Sequence, residues 1–295
     1  MHFPCAHGRT SAFRTTPSKS RCYLPLVMQH LKSALLEAPS EVGGVAGRWA
    51  LFIDIDGTLL EMAPTPDAVV VPPNLIGMLD ALSQRLGGAL ALSTGRSVAE
   101  ADRILAPLKL ITSGVHGTEV RASPSGETTV LVQPTSASLL KEIMEVARAS
   151  PDIIVETKGA GIAVHYRKVP ELRPYLEAEL GRIAALRDTI VLRPGRRVLE
   201  VLPKGYSKGA GLASLMRAAP FKGRLPIMIG DDYGDESALA IAEELGGVGL
   251  RVAGEYFPPE RADFSGVVAT RRWLARVAGV EAYSDDLPAF QPADA

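Results

Sequence analysis

Three short apolar runs punctuate the chain, and each ends in residues that carry chemistry. Trp49-Ala50-Leu51-Phe52-Ile53 leads into Asp54. Ala89-Leu90-Ala91-Leu92 leads into Ser93-Thr94-Gly95. Leu225-Pro226-Ile227-Met228-Ile229 leads into Gly230-Asp231-Asp232. An apolar run without alternation is the pattern of a parallel strand buried on both faces. Helical patterns separate the runs, at about 73–86, 97–106, 207–218 and 235–245. Strand–helix alternation predicts an α/β fold with a doubly wound, parallel, Rossmann-like sheet. Ligands bind such sheets beyond the carboxyl ends of the strands. Asp54, Thr94 and Asp231 are therefore expected to converge on one crevice.

One interval breaks this rhythm. Thr94 and Lys208 are 114 positions apart, too many for a single crossover. Strand-like runs lie within that interval near 128–133, 153–157, 161–166, 189–193 and 197–202, with helical runs near 136–149 and 171–186. The pattern predicts an inserted α+β module over 121–203, flanked by core segments 48–120 and 204–282. Residues 1–47 read as a disordered N-terminal arm. They hold Arg9, Arg14, Lys19, Arg21 and Lys32 and no acid before Glu37. That composition resembles a targeting segment, but Leu24-Pro25-Leu26-Val27-Met28 is too short for a secretory apolar region. Met28 is an alternative start. A short helix is expected at 29–37, and the three glycines of 41–47 read as a linker. Beyond Gly249 the reading is a helix at 271–278 and a disordered acidic tail over 283–295.

Composition narrows the function. With 295 residues, two domains or one large insertion are expected at roughly 150 residues per domain. The formal net charge of -1 argues against a dedicated nucleic-acid binder, which carries a basic surplus. No run reaches the roughly 18 uncharged apolar residues of a membrane span. Two cysteines, Cys5 and Cys22, exclude a disulfide framework for the body of the chain. A cytoplasmic location is the matching expectation.

The sharpest chemical signal is Asp54-Ile55-Asp56-Gly57-Thr58-Leu59. Two carboxylates stand two residues apart at the end of a buried strand, and Gly57 allows a sharp turn. Such a pair suits phosphoryl transfer. One carboxylate attacks phosphorus and forms an aspartyl-phosphate. The other protonates the leaving oxygen and then activates water. The plainer reading is an acidic turn after a strand. A second acidic cluster follows the third apolar run, Gly230-Asp231-Asp232-Tyr233-Gly234-Asp235-Glu236. Packed beside Asp54 and Asp56 these acids would repel one another, and Mg²⁺ relieves that conflict through oxygen ligands. For Asp235 a helix N-cap is the alternative. Thr94-Gly95-Arg96 and Ser207-Lys208-Gly209 supply a hydroxyl and an ammonium, both able to hold a transferring phosphoryl group. Lys208 also sits at a predicted helix start, where an anion is favoured.

The order D-I-D-G-T-L, S-T-G-R, S-K-G and G-D-D-x-x-D-E resembles the haloacid dehalogenase phosphatase superfamily. The resemblance implies a hydrolase core with an inserted α+β cap domain. It implies Asp54 as nucleophile, Asp56 as acid and base, and Thr94 and Lys208 as phosphoryl-binding groups. It also implies Mg²⁺ held by the Asp54 side chain, the Asp56 backbone carbonyl and Asp231, with Asp235 a further metal candidate. A narrower resemblance lies in and beside the insert. Gly114-Val115-His116-Gly117-Thr118-Glu119 resembles the G-x-H-G-x-E segment of trehalose-6-phosphate phosphatases. Glu156-Thr157-Lys158-Gly159, His165-Tyr166-Arg167 and Val198-Leu199-Glu200-Val201 resemble further stretches of that family. These matches imply Mg²⁺-dependent hydrolysis of trehalose 6-phosphate to trehalose and phosphate. They imply substrate contacts from His116, Glu119, Glu156, Lys158, His165, Arg167 and Glu200, and Arg96 is expected to bind substrate with them. The implied partners are a small sugar phosphate and a trehalose-phosphate synthase in the same pathway, with no nucleic acid and no membrane.

The residue chemistry agrees, because carboxylates, amines and imidazoles satisfy the hydroxyls of a disaccharide. In strands, Glu156 with Lys158 and His165 with Arg167 each share a face, and a solvated face is the alternative. Two departures from the family are Thr94 where serine is usual and Gly234 where threonine is usual. The second is expected to loosen the loop near the metal. Rival readings are a phosphatase for sucrose phosphate, mannosyl phosphoglycerate or a monosaccharide phosphate, a phosphotransferase or mutase, and a non-catalytic sugar-phosphate-binding regulatory module.

Overall fold

The computed structural model describes residues 20–44, 47–63, 68–195, 197–280 and 283–284, with the side chains of 20–28 excepted. The chain opens with helices α1 (Ser20–Glu37) and α2 (Pro39–Gly44). It then alternates β1 (Trp49–Ile53), α3 (Leu75–Arg85), β2 (Leu90–Ser93), α4 (Val98–Ile104) and β3 (Ile111–Gly114). Two short strands follow, β4 (Glu119–Arg121) and β5 (Thr129–Val130). A second unit holds α5 (Ala137–Ala147), β6 (Ile154–Lys158), β7 (Gly161–His165), α6 (Arg173–Ala185), β8 (Ile190–Gly195) and β9 (Val198–Pro203). The chain then returns through α7 (Lys208–Leu215), β10 (Leu225–Gly230), α8 (Glu236–Glu244), β11 (Val248–Arg251) and α9 (Val267–Ala278).

The first sheet has the order β11-β10-β1-β2-β3-β4-β5. Its five strands from β11 to β3 are parallel, and β4 and β5 join antiparallel. Alternate residues of β1 serve opposite faces. Leu51 and Ile53 pack with Leu79, Leu82, Trp273 and Leu274. Ala50 and Phe52 pack with Leu212, Phe221 and Leu239. Helices thus cover both faces, which is why the run 49–53 shows no polar alternation. Each fully buried large apolar side chain contributes about 1.5–3 kcal/mol. The central strands are therefore rigid mounts for whatever follows their carboxyl ends.

The second sheet is antiparallel, in the order β6-β7-β9-β8. Ile162, Val164, Leu199 and Val201 bury one face against Leu139, Ile143, Leu176, Leu180 and Ile183 of α5 and α6. The register puts Glu156 opposite Ala163, Ala163 opposite Glu200, and Glu200 opposite Arg193. Glu156, Lys158, His165, Glu200 and Arg193 therefore share the other face, because strand side chains alternate. That polar face is turned toward the first sheet, where Glu200 meets His116.

Three expectations from the sequence need correction. The arm 1–47, expected to be disordered with a short helix at 29–37 and a linker at 41–47, instead forms α1 over Ser20–Glu37 and α2 over Pro39–Gly44. Leu35 and Val42 are buried, and the Leu35 carbonyl accepts from the Trp273 indole at 3.1 Å. A Cβ at Gly43 would collide with Arg85 and the Val277 carbonyl, so this glycine serves close helix packing rather than freedom. The run 128–133, assigned to the insert, contributes only β5, which pairs with β4 in the first sheet. The last helix begins at Val267, not 271. The targeting-like stretch through residue 19 and the acidic tail beyond Ser284 lie outside the described residues. Among the described residues no helix is long and apolar enough to cross a membrane.

Candidate active site

The carboxyl ends of β1, β2 and β10 meet at one buried cluster. Asp54 follows β1, and its amide donates to the Ile229 carbonyl of β10 at 3.0 Å. Thr94 follows β2, its amide held by the Ser113 carbonyl at 2.9 Å. Lys208 opens α7, whose N-cap is Ser207, with the Ser207 hydroxyl accepting from the Ala210 amide. The Lys208 ammonium donates to Asp54 Oδ1 at 2.7 Å and to Asp235 Oδ1 at 2.8 Å. Asp235 Oδ2 accepts from the amides of Asp231 and Asp232, both at 3.2 Å. Thr58 donates its hydroxyl to Asp231 Oδ1 at 3.2 Å. Gly57 sits at φ +82°, and a Cβ there would overlap the Asp231 carboxylate. Both the turn and the close approach of Asp231 therefore demand glycine.

The electrostatics of this cluster are unbalanced. Asp54, Asp231 and Asp235 are all buried, and one carboxylate oxygen from each lies within 4.8 Å of the others. Lys208 is their nearest cation. Burial pushes Asp54 well above the usual carboxylate range, and Asp235 and Asp231 push it further against the pull of Lys208. Burial, then Asp235 and Asp232, push Asp231 up to about 8. Burial opposes the charge on Lys208, yet Asp235 and Asp54 outweigh it and hold the ammonium well above its ordinary range. Buried acids that bind protons for want of positive charge form a site suited to a divalent cation.

Asp56 stands apart from that triad. Arg96 grips it through two hydrogen bonds, Nε to Oδ2 at 2.6 Å and Nη2 to Oδ1 at 2.7 Å. Arg96, expected as a substrate contact, is buried on this carboxylate. Its amide donates to the Thr94 hydroxyl at 3.1 Å, which links the two motifs. Gly234, expected to loosen the acidic loop, donates its amide to Asp232. With the Asp235 bonds this closes a capping box, so the loop is tied down without threonine.

The expected sugar contacts fall into separate pairings. His116 follows β3 in a left-handed conformation, φ 52° and ψ 36°, after Val115 at φ 43°. Such strain costs of order 1–3 kcal/mol per residue and clusters at functional sites. His116 Nε2 lies 2.9 Å from Glu200 Oε1. Burial alone would raise Glu200, but His116, Lys158 and Lys208 bring it to about 2. Glu156 Oε2 lies 2.9 Å from His165 Nε2 and 3.5 Å from Lys158 Nζ. Glu119 accepts from the Val98 amide at the start of α4, at 3.0 Å. Arg167 lies past the end of β7 and donates to the Ala63 carbonyl at 2.8 Å, away from the His165 pairing.

Two features escaped the sequence reading. Arg193 joins the polar face beside Glu200 through strand register alone. A cleft of about 420 Å³ opens at Asp231 and Asp232, lined also by Tyr166, Arg173, Arg197, Tyr233, Glu255 and Tyr256. Of the catalytic, metal and substrate residues expected from sequence only Asp231 lines it, although Tyr166, Asp232 and Tyr233 belong to the quoted motifs. Tyr233, set inside the acidic motif, was the available clue.

Comparison with known proteins agrees with this architecture. The C-terminal domain of the Candida albicans trehalose-6-phosphate phosphatase superposes with a TM-score of 0.73 at 19% identity, over 84% of this chain and 97% of that one. A haloacid dehalogenase superfamily phosphatase from Bacteroides thetaiotaomicron gives 0.54 at 18% identity, over 79% and 96%. The fold is thus that of the haloacid dehalogenase superfamily. A family model for trehalose-phosphatase matches residues 52–254. Among curated relatives, a probable trehalose-phosphate phosphatase of Sinorhizobium fredii is 42% identical over 207 residues, 69% of this chain and 77% of the relative. The trehalose-6-phosphate phosphatase of Escherichia coli is 36% identical over 220 residues, 74% and 82%. The chain belongs to the trehalose-phosphatase family.

Proposed function

We infer that the protein is a phosphomonoesterase that hydrolyses trehalose 6-phosphate to trehalose and phosphate. The observation that carries the chemistry is the Lys208 ammonium shared between Asp54 and Asp235, with Asp231 in the same buried cluster. Family membership and the names of the relatives support the substrate.

In this reading Asp54 attacks phosphorus, and the ester bond to the sugar oxygen breaks. Lys208 and Thr94 hold the transferring phosphoryl group. Asp56 gives a proton to the leaving oxygen, then takes one from the water that attacks the aspartyl-phosphate. Phosphate leaves and Asp54 is restored. Both Asp56 carboxylate oxygens accept from Arg96, so reaching the leaving oxygen requires Asp56 to turn off the guanidinium. Mg²⁺ at Asp54, Asp231 and the Asp56 carbonyl, with Asp235 beside them, would supply charge neutralisation for the acids and the phosphoryl oxygens.

Within the expected insert 121–203 we assign the second sheet with α5 and α6 as the cap, and 48–120 and 204–282 together with β5 as the core. His116, Glu119, Glu156, Lys158, His165, Arg167 and Glu200 would exchange their present pairings for sugar hydroxyls. Cap closure would exclude bulk water around the phosphoryl group. The substrate would come from a trehalose-phosphate synthase, and the low cysteine content supports a cytoplasmic setting.

The test is phosphate release from trehalose 6-phosphate, sucrose 6-phosphate and glucose 6-phosphate, with Mg²⁺ and with chelator. Metal-dependent preference for trehalose 6-phosphate is expected. Equal or faster turnover of another member of the panel would overturn the substrate reading and leave the core chemistry standing.

A further inference from the structure

The cleft beside Asp231 has a graded wall. Its inner end is the buried Asp231, whereas Tyr233 and Tyr256 are each 42% exposed. The two rings meet edge to face, with centroids 5.8 Å apart and planes at 81°. Tyr256 is braced by the buried Phe257, edge-on at 4.8 Å, and its hydroxyl donates to Glu236 at 3.3 Å. The pair is therefore a fixed aromatic surface rather than two loose side chains. The cap contributes Tyr166, Arg173 and Arg197 to the same cleft. Arg197 Nε lies 3.5 Å from Glu255 Oε1, so this rim also joins cap to core.

We propose that this cleft is a carbohydrate subsite that takes the sugar ring remote from phosphorus, laid against Tyr233 and Tyr256. The proposal rests on the reading of trehalose 6-phosphate as substrate. Four observations carry it. A volume of about 420 Å³ falls within the range of small-molecule sites, roughly 300–1,000 Å³, and far exceeds a phosphoryl group. Asp231 of the acidic cluster lines the cleft, so a leaving alcohol has a path from the phosphoryl site toward the exposed rings. The lining matches a pyranose, whose C–H faces suit tyrosine rings and whose hydroxyls suit tyrosine hydroxyls, arginines and acids. Finally, Arg197 and Glu255 approach to 3.5 Å across this rim, so cap and core both reach the ring that the cleft would hold. Of the lining residues, Glu255 and Tyr256 lie beyond the segment 52–254 matched by the family model.

The experiment compares kcat/KM for trehalose 6-phosphate and for glucose 6-phosphate, which lacks the second ring. The variants are Tyr233→Ala, Tyr256→Ala and the two Tyr→Phe replacements. Both rings are exposed, so truncation opens no core cavity, and thermal melts check the fold. Each alanine variant is expected to lower the trehalose 6-phosphate to glucose 6-phosphate ratio about 3- to 10-fold, mainly through KM, the scale of an aromatic contact. The phenylalanine variants should stay within about twofold, since they keep the ring. Tyr175→Ala, an exposed tyrosine on α6 outside the cleft, should leave both substrates as in wild type. An unchanged ratio in both alanine variants overturns the subsite, and equal loss in the phenylalanine variants overturns ring contact. Wild-type protein that ignores trehalose 6-phosphate but turns over another phosphate sinks the substrate reading before any variant is compared.

Discussion

The Lys208 ammonium lies 2.7 Å from Asp54 Oδ1, with both side chains no more than 6% exposed. A second carboxylate, Asp235, holds the same ammonium from 2.8 Å. Removing one partner of a buried ion pair costs about 3–5 kcal/mol, because the other charge is left uncompensated. Here the acids can take up protons instead, so the lower end is expected. Lys208→Met should lower the melting temperature in chelator by roughly 6–12 °C and abolish phosphate release. Retained turnover in that variant would remove Lys208 from the phosphoryl site.

Asp54 tests the nucleophile directly. Asp54→Asn keeps the shape and loses the attacking oxygen's charge. Turnover should fall by about 10³-fold or more, while calorimetry still detects trehalose 6-phosphate binding in the presence of Mg²⁺. Turnover near the wild-type rate would assign the nucleophile elsewhere.

Metal addition should compete with protons for the acidic cluster. Without metal, Asp231 is pushed up to about 8 by burial and by Asp235 and Asp232. At pH 7 it is therefore largely protonated, and a cation must displace that proton. Titration with Mg²⁺ should give heats that scale with the ionisation enthalpy of the buffer. At 100 times its dissociation constant the ion should add about 2.7 kcal/mol of stability. Buffer-independent heats would mean that the proton is absent or the ion binds elsewhere.

Gly57 sets the distance between the two acidic loops. It lies at φ +82°, and its missing Cβ leaves room for the Asp231 carboxylate. Gly57→Ala therefore combines a left-handed penalty of roughly 1–2 kcal/mol with displacement of Asp231. Mg²⁺ affinity should fall at least tenfold, read by the concentration needed for half-maximal turnover. An alanine variant with unaltered metal dependence would show that Asp231 approaches from elsewhere when the ion is bound.

The parts of the site that sequence made legible are those mounted directly on regular elements. Asp54, Thr94 and Asp231 end apolar runs that are buried on both faces, so period and position coincide. Lys208 begins a helix with a serine N-cap. What escaped depends on tertiary approach. The glycines of 41–44 read as a linker, but Gly43 serves contact with Arg85 and Val277. β5 is two exposed residues and carries no pattern. Tyr233 and Tyr256 are 23 positions apart and meet only because the loops after β10 and β11 lie side by side. Arg167 was paired with His165 by period, yet β7 stops at His165 and the alternation stops with it.

The His116–Glu200 contact is the pH-sensitive joint between cap and core. Glu200 is brought to about 2, from an ordinary 4.5, by His116, Lys158 and Lys208 acting against burial. A carboxylate lowered in the folded state adds stability above its unfolded pKa and loses it as pH falls through the folded one. The window is therefore about pH 4.5 down to 2, and the protein should lose stability as acid protonates Glu200. Glu200→Gln cannot titrate, so the variant should be less stable than wild type at pH 7, with the gap closing by pH 2. Urea titrations at steps between pH 7 and pH 2 would read this. A gap that stays constant across that window would mean that the charge of Glu200 contributes nothing to holding cap against core.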